Sequence, residues 1–186
     1  MIRQIDIDVD YEQLLRTVHE LNIINMLHEK PQLAVQHRIE TKPDQQLYEG
    51  CNSLIYDWDN YDPDLHTELL KRENVLLETD FNVTCDLFKN TYVETVIDSL
   101  NNKFGVFRGR FMMMKYKTCL STHTDDTNRI HIPIITNKYC YMVIEDTVYK
   151  LQSNATYLAN TTLEHTAVNA SRNNRIHLVF CTGTEY

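Results

Sequence analysis

Two hydrophobic periods divide the chain. Ile5, Ile7 and Val9 alternate with Asp6, Asp8 and Asp10, the period-2 pattern of a half-buried strand. Behind Asp10, a favourable helix N-cap, Leu14, Leu15, Val18, Leu21 and Ile24 recur on one helical face. After Pro31, Leu33, Val35, His37 and Ile39 alternate as a second strand. Residues 42–64 collect Asp, Asn and Tyr with Pro43 and Pro63 and predict a loop. A short helix is expected to start near Pro63, since proline suits a first turn. Leu87, Phe88, Tyr92, Val96, Ile97 and Leu100 return to helical spacing and predict a helix over 86–102.

Past Gly105 the period changes to two. Phe107 to Lys117 predicts a strand, and Ile130, Ile132 and Ile134 alternate with Arg129, His131 and Pro133. Cys140 to Leu151 predicts a hairpin turning at Glu145-Asp146. Thr156 to Ala159, His165 to Asn169 and Arg175 to Cys181 predict further short strands. Many short strands at near-regular spacing suit a sandwich or barrel. The expectation is one domain over 1–186, mainly β with helices (α+β). A helix-rich N-terminal layer over 1–104 would pack on a β core over 105–186.

Composition removes several chemistries. Only 4 of the 186 residues are Gly, and no two stand as Gly-x-Gly. The dinucleotide fingerprint and the phosphate-cradling loop, which need clustered glycines, are therefore excluded. The five cysteines never stand as C-x-x-C, so reduced thiols are expected rather than a disulfide framework or zinc ribbon. The first ten residues hold no apolar run of signal-peptide type, and no stretch approaches the ~20 apolar residues of a membrane helix. A cytoplasmic protein away from membranes is the expectation.

Charge is split unevenly. Residues 1–100 hold 20 acidic and 8 basic side chains, net −12, and residues 101–186 hold 6 acidic and 10 basic, net +4. An acidic total argues against nucleic acid as a partner. The basic half suits a small anion. The acidic half, if it borders a site, favours a cationic or zwitterionic substrate. Oligomeric state is not legible.

The basic half also holds the candidate chemistry. In His123-Thr124-Asp125, side chains two apart on an extended segment converge on one point. His165 opens another strand 40 residues later. Two His and one carboxylate on one face of an ion leave the opposite positions open, the facial triad of non-heme Fe(II) oxygenases. Arg129-Ile130-His131-Ile132 is echoed by Arg175-Ile176-His177-Leu178, so each strand turns an Arg and a His to one face. Either those faces line a polar cavity or they lie in solvent. Arg175, ten residues after His165, suits bidentate recognition of a carboxylate. A non-catalytic metal- or ligand-binding barrel and a zinc hydrolase remain open alternatives on these residues.

Residues 108–181, reading R-G-R-F-M-M-M-K-Y, H-T-D, R-I-H-I-P-I, H-T-A-V-N and R-I-H-L-V-F in turn, resemble the aspartyl/asparaginyl β-hydroxylase group of 2-oxoglutarate oxygenases, which includes free-proline hydroxylases. The resemblance implies a double-stranded β-helix (a jelly-roll, cupin-like barrel) with the N-terminal helices packed on one sheet. It implies His123, Asp125 and His165 as Fe(II) ligands, with Asp126 a nearby spare. Arg175 would hold the distal carboxylate of 2-oxoglutarate, with Arg129 and His131 beside the co-substrate. The reaction would consume O2, release succinate and CO2, and hydroxylate a small molecule or a polypeptide residue. His177, Asn169 and Trp58 are candidate substrate-pocket residues, Trp58 from an aromatic loop with Tyr48, Tyr56 and Tyr61. Where the family often has a small hydroxyl residue, this strand carries Met112-Met113-Met114.

Overall fold

A computed structural model describes residues 1–62, 64 and 69–186. Its strands and helices run β1 (Ile2–Ile5), α1 (Tyr11–Glu20), α2 (Ile23–Glu29), β2 (Gln32–Ala34), β3 (Gln36–His37), β4 (Val83–Thr84), α3 (Tyr92–Phe104), β5 (Val106–Met114), β6 (Thr118–Cys119), β7 (Asn128–Ile135), β8 (Cys140–Ile144), β9 (Thr147–Tyr149), β10 (Thr156–Ala159), β11 (His165–Asn169) and β12 (Arg175–Thr182). Among the described residues the major sheet has the order β1-β10-β7-β12-β5-β2 and the minor sheet β6-β11-β8-β9, both antiparallel. The two sheets form a double-stranded β-helix, with the helices against the major sheet.

The alternation seen in sequence sorts the major sheet's two faces. Phe111, Ile130, Ile132, Ile176, Leu178 and Phe180 join Leu14, Val18, Leu27, Val96 and Leu100 of the helices in one buried cluster. The opposite, inner face carries Arg110, Met112 and Met114 on β5, Arg129 and His131 on β7, and Arg175 and His177 on β12. All of these except Met112 are buried. Arg129, His131, Arg175 and His177 therefore line a polar interior rather than facing solvent.

Elements shift where local chemistry overrides periodicity. The first strand ends at Ile5, short of the alternation that runs to Val9, and Asp10 caps α1, its carboxylate accepting from Gln13 N at 2.9 Å. The first helix breaks at Asn22, whose φ of 57° suits no helix interior. The strand expected through Ile39 stops at His37, which pairs with Val83, and Ile39 is exposed. The helix expected from 86 becomes a 3-10 turn at Asp86–Phe88, a left-handed Asn90 and then α3, capped by the Thr91 hydroxyl accepting from Val93 N at 3.2 Å. The short helix expected near Pro63 lies outside the described residues. Among the described residues no helix is long and apolar enough to cross a membrane.

Candidate metal centre and active site

Backbone pairing brings the three candidate ligands together. His123 and His165 exchange hydrogen bonds across an isolated bridge, His123 N to His165 O at 3.0 Å and the reverse at 2.9 Å. Their imidazoles lie side by side with centroids 4.3 Å apart. Asp125 N donates to Thr161 O at 2.8 Å, which turns its carboxylate to the same point, with Oδ2 3.6 Å from His165 Nε2. One ligand atom from each of the three lies within 4.8 Å of the others. His123 is exposed, Asp125 half-buried and His165 buried, so the cluster opens on one side.

Each imidazole is pinned at its other nitrogen. His123 Nδ1 meets Ser121 O at 2.8 Å, and His165 Nδ1 meets Leu163 O at 3.0 Å. A carbonyl only accepts, so both Nδ1 atoms carry the proton and both Nε2 atoms present a lone pair. Burial lowers the His165 pKa and favours that neutral form. Two imidazole lone pairs and one carboxylate suit a divalent transition metal with open positions.

A carboxylate that the sequence did not single out anchors this centre. Glu78 accepts from Arg129 Nη2 at 2.9 Å, Arg129 Nη1 at 3.1 Å and Thr127 Oγ1 at 2.7 Å, and it also pairs with Arg108. Arg129 in turn reaches Asp125 Oδ1 at 3.1 Å. Glu78 is half-buried with its side chain 9% exposed, yet Arg129, Thr127 and Arg108 hold its carboxyl at about 2, below the usual carboxylate range. Arg129 is thus committed to Glu78 and the candidate ligand Asp125. Nothing periodic around Glu78 signals this role, because its partners are 30 to 51 residues away.

Deeper in the barrel the polar groups are unpartnered. Arg175 is buried with its Nε unpaired, and desolvation lowers its pKa to about 10, which leaves it cationic near neutrality. It borders a tight crevice, with no room for a water molecule, together with Thr136, Cys140, Met142, Leu151 and His177. The Thr136 hydroxyl, also unpaired, supplies there the kind of group absent from Met112-Met113-Met114. His131 and His177 meet at Nδ1 to Nδ1, 3.5 Å apart, and both Nε2 atoms are buried and unpaired. Burial, reinforced by Arg175, pushes His131 down to about 3 and His177 well below its usual value, so both are neutral. In a neutral pair joined at Nδ1, one free Nε2 bears a proton and the other a lone pair.

The remaining candidates sit elsewhere. Asn169 is buried, but its oxygen accepts from Cys140 Sγ, Ser171 N and Ser171 Oγ, and its amide donates to Met114 O and Asn173 O. It ties β11 to β5 and the following turn. Trp58 is exposed on a 3-10 turn, edge-on to Tyr61. All five cysteines are free thiols.

A family model described as aspartyl/asparaginyl beta-hydroxylase matches residues 22–182. No curated protein matches the chain. Among solved structures, a viral collagen prolyl hydroxylase from Paramecium bursaria chlorella virus 1, in its 2OG complex, is similar at 9% identity over 97% of this chain and 96% of that one, with TM-score 0.47. A 2OG-Fe(II) oxygenase family oxidoreductase from Burkholderia pseudomallei is similar at 14% identity over 52% of this chain and 60% of that one, with TM-score 0.39. A cupin domain from Bordetella pertussis is similar at 11% identity over 41% of this chain and 81% of that one, with TM-score 0.37.

Proposed function

Because the chain belongs to the aspartyl/asparaginyl beta-hydroxylase family, we propose that it is an Fe(II)- and 2-oxoglutarate-dependent dioxygenase. Its substrate is an amino acid, or an Asp- or Asn-type residue in a polypeptide. The observation that carries this reading is the His123, Asp125 and His165 cluster with both Nδ1 atoms pinned to carbonyls. Bound iron and 2-oxoglutarate supply the oxidation, in which one dioxygen atom enters succinate as CO2 leaves and the other converts a substrate C–H to C–OH.

The chain's own groups do the positioning. His123 and His165 hold the metal through Nε2 and Asp125 through a carboxylate oxygen. Arg129, fixed by Glu78, holds Asp125 to one orientation. The unpaired donors of Arg175 and Thr136 fit the far carboxylate of the co-substrate, a charge-assisted contact in a dry setting. The His131/His177 pair offers one donor and one acceptor to whatever lies between Arg175 and the metal. Met112 and Met114 on the same inner face keep water from the reacting centre.

Anaerobic addition of Fe(II) and 2-oxoglutarate is expected to give a weak visible charge-transfer band. The band should vanish in His123→Ala and His165→Ala. In air, an amino-acid and peptide panel is scored by succinate release and a +16 Da product. Wild-type protein that binds no iron and forms no succinate, even without substrate, overturns the reading.

A further inference from the structure

The barrel interior carries more positive charge than the proposed reaction uses. Arg108, Arg110, Arg129 and Arg175 are each buried, against two carboxylates, Glu78 and Asp125, which among these four arginines pair only with Arg108 and Arg129. Glu78 is shared by Arg108 and Arg129, and Asp125 is taken by Arg129. Iron(II) and 2-oxoglutarate are equal and opposite in charge, so filling the proposed site leaves the surplus in place. A buried charge without a partner is costly and persists where function needs it.

Arg110 is where that surplus is least answered. It is 6% exposed, its Nε has no partner, and its described side-chain bond is Nη1 to the neutral Gln32 Oε1 at 3.2 Å. That oxygen already accepts from Asn52 N at 3.1 Å. Desolvation and the neighbouring Arg108 lower its pKa to about 10, so it stays cationic at neutral pH. Register places it on the inner face in the same transverse row as His131, since Arg110 pairs with Val179 and Val179 with His131.

Arg175 stands apart from this row. It pairs with Met114, four positions along β5 from Arg110, a backbone separation of about 13 Å at the strand rise of ~3.3 Å. The two guanidiniums therefore start from different ends of the inner face. With Arg175 serving the co-substrate, Arg110 is left on the inner face in the row of His131, its Nε unpaired and, among the described residues, no carboxylate paired with it.

We propose that Arg110 binds a carboxylate of the substrate, so that the enzyme hydroxylates acids in preference to their neutral amides. This rests on the dioxygenase reading above. It differs from the expectation that the acidic N-terminal half, if it borders the site, favours a cationic or zwitterionic substrate, because Arg110 brings a guanidinium to the inner face.

The test titrates wild type and Arg110→Gln, each holding Mn(II) and 2-oxoglutarate, with the amino acids as N-acetyl acids and as the matching N-acetyl carboxamides. Calorimetry reads the affinities. The best acid is expected to bind wild type at least about tenfold more tightly than its amide, the scale of one charge-assisted bond. In Arg110→Gln that ratio should fall to within about twofold. Metal-free protein titrated in parallel reads the same ratio without iron. Mn(II) binding and substrate-free succinate release by wild type report on the dioxygenase reading separately.

Arg110→Met supplies a second arm. Removing an unpaired buried charge is expected to raise the melting temperature by about 2–4 °C, the shift for ~1 kcal/mol in a chain of this size. An acid preference that survives in Arg110→Gln, or its absence from wild type, overturns the proposal. So does loss of 2-oxoglutarate affinity in that variant with the acid preference intact, since the carboxylate is then the co-substrate's. A lowered melting temperature in Arg110→Met does so too, because it makes Arg110 a structural group.

Discussion

At the scale of the residue, Glu78 decides how firmly the candidate metal cluster is held. Its carboxylate is shared by Arg108 and Arg129, and Arg129 is the group that aims Asp125. Glu78→Gln keeps the shape and removes the charge. Breaking a buried pair typically costs about 3–5 kcal/mol, because the surviving charges stay buried. A partner of a ligand typically affects metal affinity about 10–100-fold. Urea unfolding and Mn(II) calorimetry of the same variant are expected to show both losses, and intact Mn(II) affinity would place Glu78 in stability alone. Acid acts on the same residues. Glu78 has a folded pKa of about 2 against an ordinary 4.5, so its contribution is present above 4.5 and is lost as pH falls toward 2. His131 is neutral in the fold down to about 3, whereas the unfolded chain takes up a proton below about 6.5. Stability of the metal-free protein should therefore fall as pH drops below 6.5. The slope approaches about 1.4 kcal/mol per pH unit for each such histidine. Urea midpoints from pH 7 to 5 check this, with a shallower slope expected in His131→Gln.

At the scale of the element, strands that alternate strictly were legible in sequence and strands fixed by distant partners were not. Thr156–Ala159 and His165–Asn169 have in the structure the bounds their alternation implies. That Arg129 and His131, and Arg175 and His177, share a face opposite the aliphatic residues was legible from the period of two, while their place inside the barrel rather than in solvent came from the structure. The alternation from Leu33 to Ile39, by contrast, was read as one strand but divides into Gln32–Ala34, held to β5 some 80 residues later, and Gln36–His37, held to Val83–Thr84, a division that no local pattern reports. The same holds for Glu78 and Arg110, whose roles come from groups on other elements. Gly109 shows what this packing demands. A Cβ built there meets the Phe180 ring and approaches Val35 Cγ2 at 2.6 Å, so β5 accommodates no side chain at that position. Gly109→Ala is expected to cost about 1–3 kcal/mol through overpacking, read as a lowered urea midpoint. Phe180→Leu in the same background should restore part of it by making room.

At the scale of the whole molecule, the chemistry belongs to residues after 105 while much of the stability comes from before them. The outer face of the major sheet presents Ile130, Ile132, Ile176, Leu178 and Phe180, and residues from α1, α2 and α3 cover it in the buried cluster. Burying a side chain of that kind is worth about 1.5–3 kcal/mol, so five of them contribute on the order of 10 kcal/mol. That is comparable to the entire net stability of a typical domain, about 5–15 kcal/mol. The N-terminal segment also supplies both edges of the major sheet, β1 and β2, and the carboxylate that neutralises Arg129. The charge split seen in sequence thus marks an interdependence, in which an acidic segment brings Glu78 into a basic barrel. Residues 105–186 produced alone should therefore lack a cooperative thermal transition and bind a hydrophobic dye. Adding residues 1–104 as a separate chain should recover Mn(II) binding only where it restores that transition. A cooperatively melting, metal-binding fragment would show instead that the barrel's own core suffices, and would move Glu78 from the centre's foundation to its rim.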